Sequence, residues 1–269
     1  MVQGLGALLS KIDIRDYKIA AIMQEYPENY IIKDMPPVKN QGSVSSCVAH
    51  ATSTILEYFN KKEVGEYIQL STNFIYGMQS IMFNRKEKGM YLRDACRIVK
   101  AKGNPWESII SGNTEQPDCG EKLQQQLTDS VYRNAENQKV QSYARCNGTS
   151  TIKYALMNYG PVLASVNWHN ENYIDKNNII QMDKSSSYGR HAIVIYGWNK
   201  YGWLCRNSWG EGFGEKGNFI YPYDNNFNEA WSFVDAENND IKKPKHNSCI
   251  WKIVYSFINL MLNLFKKQN

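Results

Sequence analysis

An α+β chain of two lobes is the fold class this sequence predicts, and three observations predict it. Helical periodicity dominates the first half, as in VAHATSTILEYFNK, while short apolar runs dominate the second, as in PVLASVNW and HAIVIYGW. Gly, Asn and Lys turns separate those runs, so helices come first and strands later, which segregates them into a mostly helical lobe and a mostly sheet lobe. At 269 residues, with 42% hydrophobic and 21% charged side chains, 18 Tyr and 7 Trp, the chain has the composition of a globular protein with a sizeable core. A site between the lobes draws on both.

Residues 1–35 read as a lead-in, in which DIRDYKIAAIMQEY supports one amphipathic turn or helix before Pro36-Pro37 ends it. Residues 36–245 form the main domain, its helical lobe mainly 36–145 and its sheet lobe mainly 146–240. Within it, residues 48–61 place Val48, Ala51, Ile55, Tyr58 and Phe59 at helical spacing. Residues 90–103 make a second helix with Leu92, Cys96 and Val99 inward and Gly103 at its end, and residues 149–160 a third, opened by Thr149 or Ser150 and closed by Gly160-Pro161. PVLASVNW, HAIVIYGW, GWLCRNSW and KGNFIYPY are the strands.

Residues 246–269 carry an apolar helical pattern, with Lys252, Ser256, Asn259 and Asn263 forming one narrow polar stripe. Such a helix over 250–265 reaches roughly 24 Å, short of a comfortable membrane span. It docks on its own domain or on a second copy, or it lies on a membrane surface helped by flanking lysines.

The charge of +5 comes from scattered lysines rather than a stripe interleaved with aromatics, so nucleic acid is not an expected partner. The six cysteines, Cys47, Cys96, Cys119, Cys146, Cys205 and Cys249, include no CxxC pair and no zinc spacing, so neither a metal nor another cofactor is expected. With one of them a free nucleophile, an odd five remain, which implies no complete disulfide framework and suits a reducing compartment.

Cys47 follows NQGSVSS and opens a helix, whose positive end lowers a thiol pKa; an imidazole nearby lowers it further. Of four histidines, His246 lies in a lysine-rich linker and His169 at a strand end with a surface position expected. His50 is close enough on the same helix to be a rival, though its alanine neighbours favour a structural role. His191 opens the strand HAIVIYGW, a rigid element suited to a base. Asn207 is a candidate to orient that ring and Trp209 to cover the pair, although taken alone Asn207 is simply an Asn in a loop.

Together these segments resemble the papain-like cysteine proteases. NQGSVSSCVA is similar to their nucleophile segment, GRHAIVIYGW to their histidine strand and NSWGEGFGEKG to their asparagine segment, in order from Pro37 to about Tyr221, with LSTNFIY, GMYLRDA and YGPVLASV between them. The G-x-H-A-I pattern is similar to the cathepsin B branch, without a His-His occluding segment. The resemblance implies a papain-like two-lobe fold and a peptidase acting on a protein or peptide through Cys47, His191 and Asn207. It implies an oxyanion hole of Gln41 and the Cys47 amide, substrate contacts at Gly89, Met90, Gly189 and Arg190, and a short propeptide in residues 1–35 that blocks the site or packs on the sheet lobe, trimmed near residues 25–36.

Some positions depart from the family pattern. Val44 stands where the family has a cysteine, which removes a disulfide and fits an intracellular, bacterial or virion-associated branch over a lysosomal one. Val48 replaces a tryptophan and Ser45 a glycine. Arg190, next to His191, favours acidic substrate groups or lowers the histidine pKa, or is an exposed bystander. A catalytically silent binding or scaffold module and a transpeptidase are the alternatives that these departures leave open.

Overall fold

The computed structural model describes residues 3–19 and 25–235. Two short strands, β1 (Ala7–Leu8) and β2 (Tyr30–Ile31), precede a long helix, α1 (Cys47–Val64). Helices α2 (Thr72–Phe83), α3 (Leu92–Ala101), α4 (Asp118–Gln126) and α5 (Asp129–Glu136) follow, with strand β3 (Met90–Tyr91) leading directly into α3. Strand β4 (Val140–Arg145) and helix α6 (Thr149–Asn158) come next, then β5 (Val162–His169), β6 (Asn172–Ile174), β7 (Ile180–Met182), β8 (Tyr188–Asn199), β9 (Gly202–Arg206), β10 (Asn218–Pro222) and β11 (Phe227–Asp235).

The main sheet is antiparallel, in the order β10-β9-β8-β5-β11-β4, with β2 also paired to β8. One hydrophobic cluster fills the helical lobe, from Val48, Ile55 and Phe74 to Trp231 and Phe233. A second fills the sheet lobe around Trp168, Trp198, Ile193 and Phe219. Strand β8 serves both, because alternate side chains point to opposite faces: Ala192 and Val194 belong to the first cluster, Ile193 and Ile195 to the second.

Helix α1 is buried on all sides from Cys47 to Glu57, not along one stripe. Its small residues Ala49, Ala51 and Ser53 let neighbours approach from every direction, and left-handed Gly65 ends it with an N–H bond to Lys61 O at 2.9 Å. Glu57 is fully buried on this helix, which pushes its carboxyl pKa up, while Lys39 Nζ at 2.7 Å and the Leu70 amide at 2.8 Å oppose the rise. The ion pair fastens residues 37–41 to the helix. On their other side the Gln41 amide donates to Ser208 O and the Gly210 amide to Lys39 O, each at 2.9 Å, so the segment stitches α1 to the loop after β9.

Of the turn or helix expected in the lead-in, the described part shows the turn, where the Asp13 carboxylate accepts bonds from Arg15, and residues 20–24 of that stretch lie outside the described residues. The end of the lead-in packs on the sheet lobe, one of the two placements expected of it, with Tyr30 and Ile31 paired to Trp198 and Gly197 and Ile32 buried. Several other expectations need correction. Met90 and Tyr91 are strand rather than helix, since β1 pairs beside them in parallel. Gly148, not Thr149 or Ser150, caps α6, with the Thr151 hydroxyl donating to its carbonyl at 2.8 Å. The sheet lobe begins with β4, ahead of residue 146. His169, expected at the surface, is buried, its Nδ1 3.1 Å from Ser186 O. The apolar pattern of residues 250–265, His246 and Cys249 lie outside the described residues; among these, no helix is long and apolar enough to cross a membrane.

Replacing Lys39 with Met leaves Glu57 buried without its cation, so the expected cost is about 3–5 kcal/mol of stability, measured by denaturant unfolding, with most of it restored by Glu57→Leu in the same chain.

Candidate active site

Cys47 is the first residue of α1, fully buried, with no acidic residue in the first turn. The preceding Ser46 turns its hydroxyl to His50 Nδ1 (3.2 Å) and Asn113 Oδ1 (3.3 Å), so no side chain caps the helix and its positive end is left to the sulfur. His50 itself is buried and structural in its contacts: its Nδ1 lies 3.0 Å from Ser46 O, and burial drives its pKa down to about 4.

His191 stands on β8, where its Nε2 lies 2.7 Å from Asn207 Oδ1. That oxygen also accepts the Ser208 amide at 2.7 Å. An amide oxygen only accepts, so the imidazole proton resides on Nε2 and leaves Nδ1 as the basic nitrogen. Nδ1 is buried and has no hydrogen-bond partner among the described residues. Trp209 lies over the ring at 4.6 Å between centroids with planes 30° apart, and Trp168 meets its edge at 5.3 Å. Burial takes the His191 pKa down to about 4 against the Asn207 hydrogen bond, which raises it.

Burial likewise pushes the Cys47 thiol up to about 11, opposed by backbone hydrogen bonds of Ala192, Gly6, Val48 and Cys47 itself. Among the groups acting on the sulfur are thus the backbone of Ala192, the residue next to His191, and that of Gly6 in the lead-in. Thiol and imidazole are therefore both neutral at pH 7 in this arrangement.

Gln41 is fully buried, and its Nε2 donates to Gly4 O at 3.0 Å and to Val44 O at 2.8 Å, while the Ser208 hydroxyl holds its Oε1 at 2.5 Å. A peptide carbonyl thus already occupies the donor. From there the lead-in runs along the cleft: Met90 N donates to Gly6 O at 2.7 Å, and β1 continues in parallel with β3. The fit is close. A Cβ on Gly4 would lie 2.2 Å from Val44 O, and one on Gly6 2.0 Å from Ser45 O. Between them the Leu5 side chain covers Gly189, where a Cβ would meet its Cδ1 at 2.5 Å. Beyond the cleft the Ser10 amide donates to buried Glu229 at 3.1 Å, and Arg93 pairs with Asp16.

The structure therefore brings Cys47, Gln41, His191, Asn207 and Trp209 into one neighbourhood, with Gly89 and Gly189 facing the lead-in. Met90 contributes its amide, its side chain being buried in the helical cluster. Arg190 sits opposite Asn167 on the strand face away from His191, its Nε buried, and the low histidine pKa comes from burial instead. Sequence reasoning missed Ser208, which holds Gln41, and the Gly4-Leu5-Gly6 stretch; the signal for the latter was the alternation of glycine with leucine. Among the described residues no cluster of His, Cys, Asp or Glu could hold a metal, and Cys96, Cys119, Cys146 and Cys205 are free and buried like Cys47.

Residues 28–234 match the model of the papain family of cysteine proteases. Cathepsin K of Mus musculus is 26% identical over 67% of this chain and 54% of its own length. A cathepsin B-like cysteine proteinase of Caenorhabditis elegans is 29% identical over 38% of this chain and 30% of its own, so the chain spans between about a third and a half of these relatives. Among solved structures, xylellain, a cysteine protease from Xylella fastidiosa, superposes with a TM-score of 0.73 at 23% identity, covering 87% of this chain and 97% of xylellain. Procathepsin L 3 of Tenebrio molitor gives 0.62 at 17% identity over 81% and 73%.

In the folded chain His191 stays unprotonated down to about pH 4, whereas the unfolded chain takes up that proton below its ordinary value of 6.5. Stability should therefore decline as pH falls through this window, read from urea midpoints. Imidazole 15N shifts should place the His191 midpoint near 4 and, because Asn207 is the contact that raises it, Asn207→Ala should lower it further.

Proposed function

This chain belongs to the papain family of cysteine proteases, and from that premise we propose that it is a peptidase made in a latent form. It cleaves peptide bonds of a protein or peptide through Cys47, His191 and Asn207, and residues 3–10 occupy its cleft until they are displaced. The observation that carries the reading is the 2.7 Å His191–Asn207 bond under Trp209, with the helix-opening thiol of Cys47 against the neighbouring Ala192.

The chemistry follows from the atoms available. With the lead-in gone, water reaches the thiol and the ring, and the burial that holds both neutral is relieved. His191 Nδ1 takes the Sγ proton, and the thiolate attacks the scissile carbonyl carbon to form a C–S bond. Gln41 Nε2, released from Gly4 O, and the Cys47 amide receive the oxyanion. As the C–N bond breaks, His191 returns its proton to the leaving amine. Water then hydrolyses the acyl-enzyme with His191 as base. Asn207 holds the ring through Nε2 throughout.

The lead-in supports latency by its position. Its Gly4 carbonyl fills the Gln41 donor, its Gly6 backbone lies on the sulfur and its Leu5 covers Gly189. Processing has to fall ahead of Tyr26, since Tyr26 bonds Ser150 O and Tyr30 to Ile32 are seated on β8. This is the N-terminal edge of the expected window.

A thiol-directed epoxide should label the full chain slowly at Cys47 and a chain lacking residues 1–10 at least about tenfold faster, while Cys47→Ala stays unlabelled and unprocessed by mass spectrometry. Gln41→Ala should cost kcat about 10²–10³-fold, roughly 3–4 kcal/mol of barrier. Equal labelling of the full and shortened chains would remove latency from the reading, and no labelling of either would remove the peptidase.

A further inference from the structure

The lead-in backbone at Gly6 is held between two walls. On one side Ser45 O would lie 2.0 Å from a Cβ at Gly6, and on the other Gly6 O would lie 2.6 Å from a Cβ at Gly89. The slot is one backbone wide, so its width is the spacing between the nucleophile loop at Ser45 and the wall at Gly89. Nothing covalent sets that spacing, because Val44 and its neighbours offer no cysteine and the described cysteines are all free.

One carboxylate spans it instead. Glu115 Oε2 accepts the Ser45 amide at 2.9 Å, two residues before Cys47. Its Oε1 accepts the Tyr76 hydroxyl in a short hydrogen bond, and that hydroxyl oxygen in turn accepts the Gly89 amide at 3.1 Å. The far side of the same residue is held too, for Gln79 Nε2 donates to Gly89 O at 2.9 Å. Tyr76 and Gln79 lie three apart on one face of α2 and are both buried, so the Gly89 wall is mounted on a rigid helix. The Gln116 amide donates to Glu115 Oε1 at 3.0 Å and Gln116 Nε2 to Tyr76 O at 2.7 Å, which fixes the carboxylate and α2 to each other. Burial alone would raise the Glu115 pKa, but its bonds to Tyr76, Ser45 and Gln116 lower it overall, so the carboxylate is the form this network holds.

We propose that Glu115, acting through Tyr76, is a positioning residue that fixes the distance between the nucleophile loop and the Gly89–Tyr91 wall, and with it the register in which a peptide backbone lies beside Cys47. The proposal deepens the peptidase reading and rests on it for its kinetic consequence, but the strut itself is tested without turnover. Tyr76→Phe removes one hydroxyl, and Glu115→Gln removes the charge at constant size.

In the full chain, amide hydrogen exchange at Met90, Gly89 and Ser45 should accelerate about tenfold in either variant, the worth of one charge-assisted hydrogen bond. The double variant should be no faster than the faster single one, because both cut the same strut, and the amides of β8 and β9 should not change. In self-processed enzyme, kcat/KM for a peptide long enough to pair with the Gly89 wall should fall about tenfold, with kcat sharing in the loss, while a blocked single-residue ester should be hydrolysed as by the unmodified chain. Unchanged exchange at Met90, additive effects in the double variant, or equal losses on peptide and ester would overturn the strut. An unmodified chain that hydrolyses neither substrate would fail the peptidase reading, and the exchange data would still decide the strut.

Discussion

Much of this molecule depends on keeping one polar contact dry. The His191–Asn207 hydrogen bond lies between two tryptophans in the core of the sheet lobe, where an imidazole with one unpartnered nitrogen is costly. That cost is tolerable because β8 is packed on both faces, by the helical cluster through Ala192 and Val194 and by the sheet cluster through Ile193 and Ile195. The strand is thus over-determined, and the ring it carries has little freedom to turn. Trp209 is placed by the Asn40–Trp209 bridge, so the segment that brings Gln41 also brings the cover of the histidine. A single seam, residues 39–41 against 208–210, couples Gln41, the Asn207 partner of the imidazole and its Trp209 cover.

The same burial gives the site its electrostatic character. A thiol raised to about 11 and an imidazole lowered to about 4 are the reverse of an ion pair. The dipole of α1 favours the thiolate, but with the lead-in seated, desolvation outweighs it. The charge state of the pair in this arrangement is thus set by burial, and the lead-in backbone at Gly6 is one of the groups at the sulfur.

How much of this was legible in the sequence can be followed residue by residue. The helix over VAHATSTILEYFNK and the strands around His191 and Phe219 were visible because their periodicity is local. The pairing of β4 with β11 and the merging of β2 into the sheet were not, since partners lie tens of residues apart and a two-residue strand has no period. Cys47, His191 and Asn207 could be selected by the spacing and context of three motifs, whereas Ser208, Glu115 and Tyr76 are ordinary side chains whose parts exist only once the chain is folded. The lead-in stretch that could be read as a turn or a helix takes the turn in its described part for a physical reason: residues 7–10 just before it are extended against β3 and Glu229, and Arg15 folds back on Asp13.

The small-large-small order of Gly4, Leu5 and Gly6 bears on how the lead-in is seated. Sliding by one residue in either direction would bring Leu5 to a position where any side-chain carbon meets a carbonyl oxygen at about 2 Å, and sliding by two would bring Leu8 or Val2 there. The segment therefore has no neighbouring berth in the groove. Its backbone thus fits the groove in one register, keyed by the two positions at which a side chain has no room.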